Sequence, residues 1–469
     1  MNSEIEFSSI HELSTNIAAR RISCVEVTTR VLERIDKFGS RLNCYITVQA
    51  ERALEHASAL DALLASGVWL GPLHGIPIGL KDNVATAGVR TTAGSGVLAN
   101  WIPERDAAVV AKLKRAGAVI IGKQSLYEFA YGYWHKDFGE TRNPWDQSKC
   151  CGASSSGSAC AVSAGLAYGS IGTDTGGSIR LPAAVCGVVG LKPTNGLVSR
   201  AGVIPASYDL DCVGPLARTV RDVAIQLQVI AGYDADSPGS VRNDVPNYLD
   251  GLEIGVRGVA IGVPRDREAG HVDVEVQAAF EKALDVLQGE GAVLVDVDLP
   301  DLSLAYTANL AIQFGEASDY HRRYVMESPE KYTDIVRQRI LVGAFVPATL
   351  YVRAQRVRAK FRAEYKRLMT EVDVIALPTL PIPAWAVGAK RVSVNGGAPA
   401  DPRSVFTRHT PIFSLTGQPA ISIPCGFNHG GLPLAFQLAG RWLDEALLLR
   451  TARAYERVTP WHQMHPPLN

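Results

Sequence analysis

The 469-residue chain has no surplus of either charge, with 47 Lys and Arg against 47 Asp and Glu. Without a net field of one sign, nucleic acid and anionic membrane surfaces are not the expected partners. The eight cysteines, at positions 24, 44, 150, 151, 160, 186, 212 and 425, form no pair of CxxC motifs and no Cys/His spacing of the zinc kind. Several lie among Ala, Val and Gly, which predicts buried thiols in a reducing compartment. No apolar run approaches the roughly 18 residues of a membrane-spanning helix. The opening Met1-Asn-Ser-Glu-Ile-Glu-Phe7 is acidic and lacks an apolar stretch behind it, unlike a secretory signal. Together these absences predict a cytoplasmic protein that acts on a small molecule or on another protein.

What is present is an alternation of element types. A helix is expected after Ser8-Ser9 and a second from Ser23, where Val25, Val27, Val31, Leu32 and Ile35 recur at helical spacing. The Ala- and Leu-rich stretch 49–66 predicts a third and completes an N-terminal helical part over 1–66. From Gly71 the texture changes: Ile76-Pro-Ile-Gly-Leu80, a helical pattern over 106–117 and Ala118-Val-Ile-Ile121 follow one another. The alternation returns with strand patterns at 259–263 and 292–297 around a helical stretch at 273–290, and 372–377 and 420–424 read as further strands. This predicts an α/β fold, a sheet of mainly parallel strands with helices on its faces. Residues 303–370 read as a helical arm, packed on the sheet or covering a cleft, and 388–402 as a surface loop.

The segment 150–181 is too dense in Gly and Ser to be helix or strand throughout. It predicts loop, small-residue helix and loop again, with backbone amides converging on an anion. A phosphate loop would end in Gly-Lys, and no Lys follows these glycines. A nucleophile elbow would need Gly where Ser156 stands. The remaining reading is an oxyanion hole for acyl transfer, built from the amides of Thr175, Gly176, Gly177 and Ser178, with Ser178 placed to attack. A serine hydroxyl needs a base. His74 and His135 are candidates, and for His74 a hydrogen-bonded turn is the structural alternative. Lys81 ends an apolar strand, where desolvation would bring its pKa toward neutrality, but it would equally serve as an ion-pair partner of Asp82.

The segments Gly71-Pro-Leu-His-Gly-Ile-Pro-Ile-Gly-Leu-Lys-Asp-Asn83, Thr141-Arg-Asn-Pro-Trp-Asp146, Gly152-Ala-Ser-Ser-Ser-Gly-Ser-Ala159, Gly172-Thr-Asp-Thr-Gly-Gly-Ser-Ile-Arg180, Cys186-Gly-Val-Val-Gly-Leu-Lys-Pro-Thr194, Val213-Gly-Pro-Leu-Ala-Arg-Thr219 and Leu415-Thr-Gly-Gln-Pro-Ala-Ile-Ser-Ile-Pro424 resemble the amidase signature family over nearly the whole chain. The resemblance implies one α/β domain over 1–469, a twisted mixed sheet surrounded by helices, with a signature core over 71–220. It implies a triad of Lys81 as base, Ser154 as bridge in a cis peptide and Ser178 as nucleophile. Neutral Lys81 would take a proton from Ser154 and Ser154 one from Ser178, giving an acyl-enzyme that water hydrolyses. No metal or organic cofactor enters that chemistry.

Two departures stand out. The family's Gly-Gly-Ser-Ser-Gly-Gly is here Gly152-Ala153-Ser154-Ser155-Ser156-Gly157, and a cis Ala153–Ser154 bond would cost about 2.5–4 kcal/mol. The glutamine-hydrolysing subunits of aminoacyl-tRNA amidotransferases that resemble this chain carry Gln after Ile-Arg, where Leu181 stands.

Asp174 and Arg180 flank the nucleophile loop and are expected to form a structural ion pair. Ser155 is expected to support the site by a hydrogen bond or to cap the helix behind it. Tyr127-Glu-Phe-Ala-Tyr-Gly-Tyr-Trp-His135 is dense in rings; Phe129 is assigned to the core, and Tyr131, Tyr133 and Trp134 to an apolar or aryl-accepting pocket. The expected protein is an amidohydrolase for a small-molecule hydrophobic amide, anilide, carbamate or urea, with neither nucleic acid nor membrane as partner and a homodimer as the assembly open to it. The other readings are a non-catalytic binding protein on the same fold and the glutamine-hydrolysing component of an amidotransferase.

Overall fold

Ser9 and Ser23 each start a helix for the same local reason. The serine side chain accepts the amide three residues on, and Glu12 or Glu26 reaches back to the serine's own amide, which satisfies donors the first turn leaves open. The helices Ile10–Ala18 and Cys24–Leu42 follow, and Ala50–Ala65 is the third expected one. The computed structural model describes residues 5–266 and 270–468. Residues 1–4 of the acidic opening segment lie outside the described residues.

Eleven strands among the described residues join one sheet: β1 Tyr45–Val48, β2 Pro77–Lys81, β3 Val119–Gln124, β4 Gly169–Asp174, β5 Val189–Lys192, β6 Cys212–Ala217, β7 Ala260–Pro264, β8 Val293–Val297, β9 Val374–Pro378, β10 Ala420–Phe427 and β11 Pro433–Gly440. Their order is β1-β3-β2-β4-β6-β5-β10-β11-β9-β7-β8. Strands 76–80, 118–121, 259–263, 292–297, 372–377 and 420–424 all appear, displaced by a few residues.

The expectation of a mainly parallel sheet needs correction. Only β2 with β3 and β4, and β7 with β8 and β9, pair in parallel; the remaining pairs are antiparallel. The sheet is thus the mixed one that the family resemblance implies. The antiparallel members β4, Gly-Ser-Ile-Gly-Thr-Asp, and β6, Cys-Val-Gly-Pro-Leu-Ala, are poor strand formers by composition. They are buried at every position, so neighbouring strands and helices stabilise them where their own propensity does not.

The arm consists of the helices Leu302–Glu327, Asp334–Gly343 and Ala348–Leu368. Among the described residues no single helix is long and apolar enough to cross a membrane. All eight cysteines are free and buried.

Candidate active site

β2 and β4 run parallel as neighbours, with Leu80 opposite Ile171, so their C-terminal ends reach the same edge of the sheet. Lys81 is the last residue of β2 and Asp174 the last of β4. The Lys81 side chain is wholly buried, and its Nζ donates to Ser154 Oγ at 2.8 Å, Thr173 Oγ1 at 2.7 Å and Thr173 O at 3.2 Å. Burial is the main influence on its pKa and lowers it; Asp211 and Asp174 pull the other way, and the balance is about 7. Asp82 pairs with Lys123 at 3.3 Å, which removes the reading of Lys81 as its ion-pair partner.

Ser178 follows in the turn after β4. It is partly exposed, as is Gly176, in an otherwise buried segment, and both line a cavity of about 430 Å³ together with Ser154 and Thr175. Ser178 Oγ makes no hydrogen bond among the described residues, while Ser178 O accepts from Ser155 N at 3.1 Å. The expected cis bond before Ser154 is a second point of correction. No peptide bond among the described residues is cis, and Ala153–Ser154 adopts the trans form that a non-proline bond favours by about 2.5–4 kcal/mol.

The four amides expected to face an oxyanion divide into two groups. Gly177 N donates to Asp174 Oδ1 at 2.7 Å, so this amide is consumed in shaping the turn and is withdrawn from the expected oxyanion set. The amides of Thr175, Gly176 and Ser178 have no acceptor among the described residues. Gly177 has φ +129°, and a Cβ there would lie 2.3 Å from Thr410 Oγ1, so both backbone angle and space demand glycine.

Asp174 and Arg180 form the expected ion pair, wholly buried and two-pronged: Nε to Oδ2 at 3.0 Å and Nη2 to Oδ1 at 3.1 Å. Arg180 also donates to Gln437 Oε1, Thr410 O and Ser414 Oγ. Burial, the largest influence, would push the Asp174 carboxyl up; the Arg180 guanidinium, together with Lys192 and the Ile179 amide, outweighs it and holds the carboxyl at about 2. Ser155 makes no capping bond to the helix Ser156–Ser163. Its Oγ instead donates to Thr173 O at 3.1 Å and accepts from Thr173 N at 3.3 Å, steadying the residue that holds Lys81.

Asp211 escapes a reading of the sequence. It is buried, accepts Thr175 Oγ1 at 2.5 Å, and takes the amides of Ala206 and Ser207 on its other oxygen. No local motif marks it, because its contacts depend on a turn that closes against the loop bearing Ser178. His74 occupies the hydrogen-bonded turn expected as its alternative, with Nε2 beside Leu60 O and Nδ1 accepting from Leu70 N. The ring of His135 lies against Lys331 O, so the structure joins neither histidine to Ser178. No group of three or more His, Cys, Asp or Glu among the described residues is arranged to hold a metal ion.

Tyr131, Tyr133 and Trp134 all reach the cavity wall, joined by Tyr127, Trp385 and Phe406. Trp385 and Phe406 stack at 4.5 Å between ring centroids; both lie far along the chain in segments without a ring-rich pattern. Phe129 packs away from the cavity against His321 and Tyr332, as expected of a core ring. The arm contributes Gln313, Ile335 and Arg339 to the wall, and the loop after β9 contributes residues 388–390.

Comparison with known proteins agrees with this architecture. A family model described as Amidase matches residues 26–449. A glutamyl-tRNA(Gln) amidotransferase subunit of Carboxydothermus hydrogenoformans is 40% identical over a 493-residue alignment that covers 99% of this chain and 100% of that protein. An amidase of Pseudomonas putida is 41% identical over 458 residues, covering 97% of each. The crystal structure of a bacterial aryl acylamidase of the amidase signature family superposes with a TM-score of 0.89 at 25% identity, covering 98% of both chains. With the family match spanning most of the sequence and the fold shared from end to end, the chain belongs to the amidase signature family of carbon–nitrogen hydrolases.

Proposed function

We propose that the chain hydrolyses an amide through an acyl-enzyme on Ser178, with Ser154 passing the proton to Lys81. The observation that carries this reading is the buried Lys81 amine, near neutrality in pKa, 2.8 Å from Ser154 Oγ and without a carboxylate in ion-pair contact. Neutral Lys81 accepts the Ser154 proton, Ser154 accepts that of Ser178, and Ser178 Oγ bonds to the substrate carbonyl carbon. The amides of Thr175, Gly176 and Ser178 are free to meet the oxyanion. Return of the proton through Ser154 releases the amine; water then attacks the acyl carbon and Ser178 leaves as the alcohol. No hydrogen bond joins the Ser154 and Ser178 hydroxyls among the described residues, and catalytic hydrogen bonds of this kind tighten when substrate is bound.

The ring-lined wall favours an amide with an aryl or other apolar part, in keeping with the similar aryl acylamidase. A second reading rests on the 40% identity to an amidotransferase subunit: the same chemistry would release ammonia from glutamine within a larger assembly. Amine release by wild type and Ser178→Ala from aliphatic amides, anilides, carbamates, ureas and glutamine tests both. Turnover of aryl amides by wild type alone supports the proposal. Activity retained by Ser178→Ala removes the nucleophile assignment, and turnover confined to glutamine favours the second reading.

A further inference from the structure

The helix Leu302–Glu327 buries Asn309, Gln313 and Glu316, whose i, i+4 and i+7 spacing sets them along one face. Buried polar groups are costly unless they are partnered, and the partners here lie in the loop bearing Ser178 and in the turn behind it. Glu316 accepts from Ser207 Oγ and from Asp209 N at 3.1 Å, which clips the helix to the turn that carries Asp211. Gln313 Nε2 donates to Asn309 Oδ1. That contact orients the Asn309 amide, and Asn309 Nδ2 donates to Thr175 O at 3.1 Å.

The Thr175 carbonyl belongs to the same planar peptide unit as the Gly176 amide, and in a trans unit the two point in opposite directions. A donor that holds Thr175 O therefore also aims Gly176 N–H. Asn309 approaches from the buried side: it is 2% exposed and stands outside the cavity wall, whereas Gly176 lines it. The next peptide unit is fixed in the same way, with Gly176 O accepting from Thr410 Oγ1 at 2.6 Å and Gly177 N donating to Asp174. The Thr175 hydroxyl is on Asp211 at 2.5 Å. Both carbonyls and the hydroxyl of Thr175 and Gly176 are thus engaged, and their two amides are the polar groups without an acceptor among the described residues.

We propose that Asn309 is a positioning residue for hydrolysis, which by holding Thr175 O aims the Gly176 amide at the substrate oxygen as that oxygen becomes negative. This rests on the reading of Ser178 as nucleophile and makes the helix Leu302–Glu327 a working part of the oxyanion site. Asp211 holds the same residue by its hydroxyl, but its charge also acts on the Lys81 amine, so a substitution there moves the base as well. Asn309 is uncharged and does not touch the cavity, which makes it the cleaner probe.

Asn309→Leu, which keeps the volume and removes the donor, and Asn309→Ala are compared with wild type on butyranilide. A group that acts only on the transition state is expected to lower kcat, here by about 10²-fold, with KM within about twofold, and to leave the pH at which kcat/KM rises where it is in wild type. Calorimetric binding of 1,1,1-trifluoro-4-phenylbutan-2-one reads the same site without turnover. Ser178 Oγ bonds to the ketone carbon, its proton passes through Ser154 to Lys81, and the ketone oxygen becomes the oxyanion. Both variants should bind this ketone about 10²-fold more weakly than wild type. Equal binding of the ketone by wild type and Ser178→Ala, or turnover by Ser178→Ala, removes the nucleophile reading and this proposal with it. Ketone binding that needs Ser178 but stays within about twofold of wild type in both Asn309 variants overturns the positioning role alone. So does a kcat within about twofold of wild type, or a loss that falls on KM or on the pH limb instead.

Discussion

Asp82 Oδ1 lies 3.3 Å from Lys123 Nζ, with both side chains wholly buried. Asp82 Oδ2 accepts from Thr92 N at 2.8 Å and Thr92 Oγ1 at 2.5 Å, and Lys123 Nζ donates to Val84 O and Thr91 Oγ1. The two charges are in ion-pair contact where the chain leaves β2 beside β3. Because successive side chains leave a strand on opposite faces, Lys81 points away from this pair and toward Ser154.

Breaking that pair from one side should be severe. Lys123→Met leaves Asp82 buried and unmatched, and the expected loss is about 3–5 kcal/mol of stability, read from the urea midpoint at constant slope. A loss within a few tenths of that of a surface substitution would mean that the ion pair is not formed as described.

As the proposed base, Lys81 should set the pH dependence. Its amine is held down at about 7, and only the neutral amine accepts a proton, so kcat/KM should rise with pH through about 7 and level off above it. Lys81→Ala should lower kcat by about 10²–10⁴ and abolish this limb. A wild-type profile that is flat between about pH 5 and 9 would remove Lys81 from the base role.

Asp174 and Arg180 bear on stability in acid. The carboxyl is at about 2 in the folded protein against an ordinary 3.8, so the stabilisation is full above the ordinary value and is lost as pH falls through about 2. Asp174→Asn should flatten the stability profile in that window, and at neutral pH should cost about 3–5 kcal/mol because Arg180 remains buried. Thermal melts at a series of pH values measure both; an unchanged acid limb in the variant would assign it to other carboxyls.

Gly157 sits at the start of the helix behind Ser154. A Cβ there would lie 2.5 Å from Ser125 N and Ser125 O and 2.6 Å from Cys44 O, backbone atoms that cannot turn aside. Gly157→Ala should therefore cost about 1–3 kcal/mol and reduce kcat by shifting Ser154 and Ser155. Wild-type melting and turnover in this variant would contradict the tight approach.

The elements that could be read from sequence are those whose cause is local. Ser9 with Glu12 and Ser23 with Glu26 cap helices within one turn, and apolar runs such as that of β3 announce themselves. β4 and β6 do not, since their glycines, proline and polar residues become strand only when both faces are covered.

Within the site, the chemical inventory is legible in the order of residues: a lysine after an apolar strand, a Gly/Ser segment with Ser154 and Ser178, the ion pair of Asp174 and Arg180 six residues apart, and a run of rings. Folding assigns that inventory its use. It brings Ser154 to Lys81 across 73 positions, gives Asp82 to Lys123, and spends the Gly177 amide on Asp174. It also sets Asp211 beneath Thr175 and carries Arg339 and Arg403 into the wall that holds Tyr131. The reason is that hydrogen-bond and charge partners across long separations depend on strand order and on how loops close, and these follow from packing the whole chain, which no local pattern encodes.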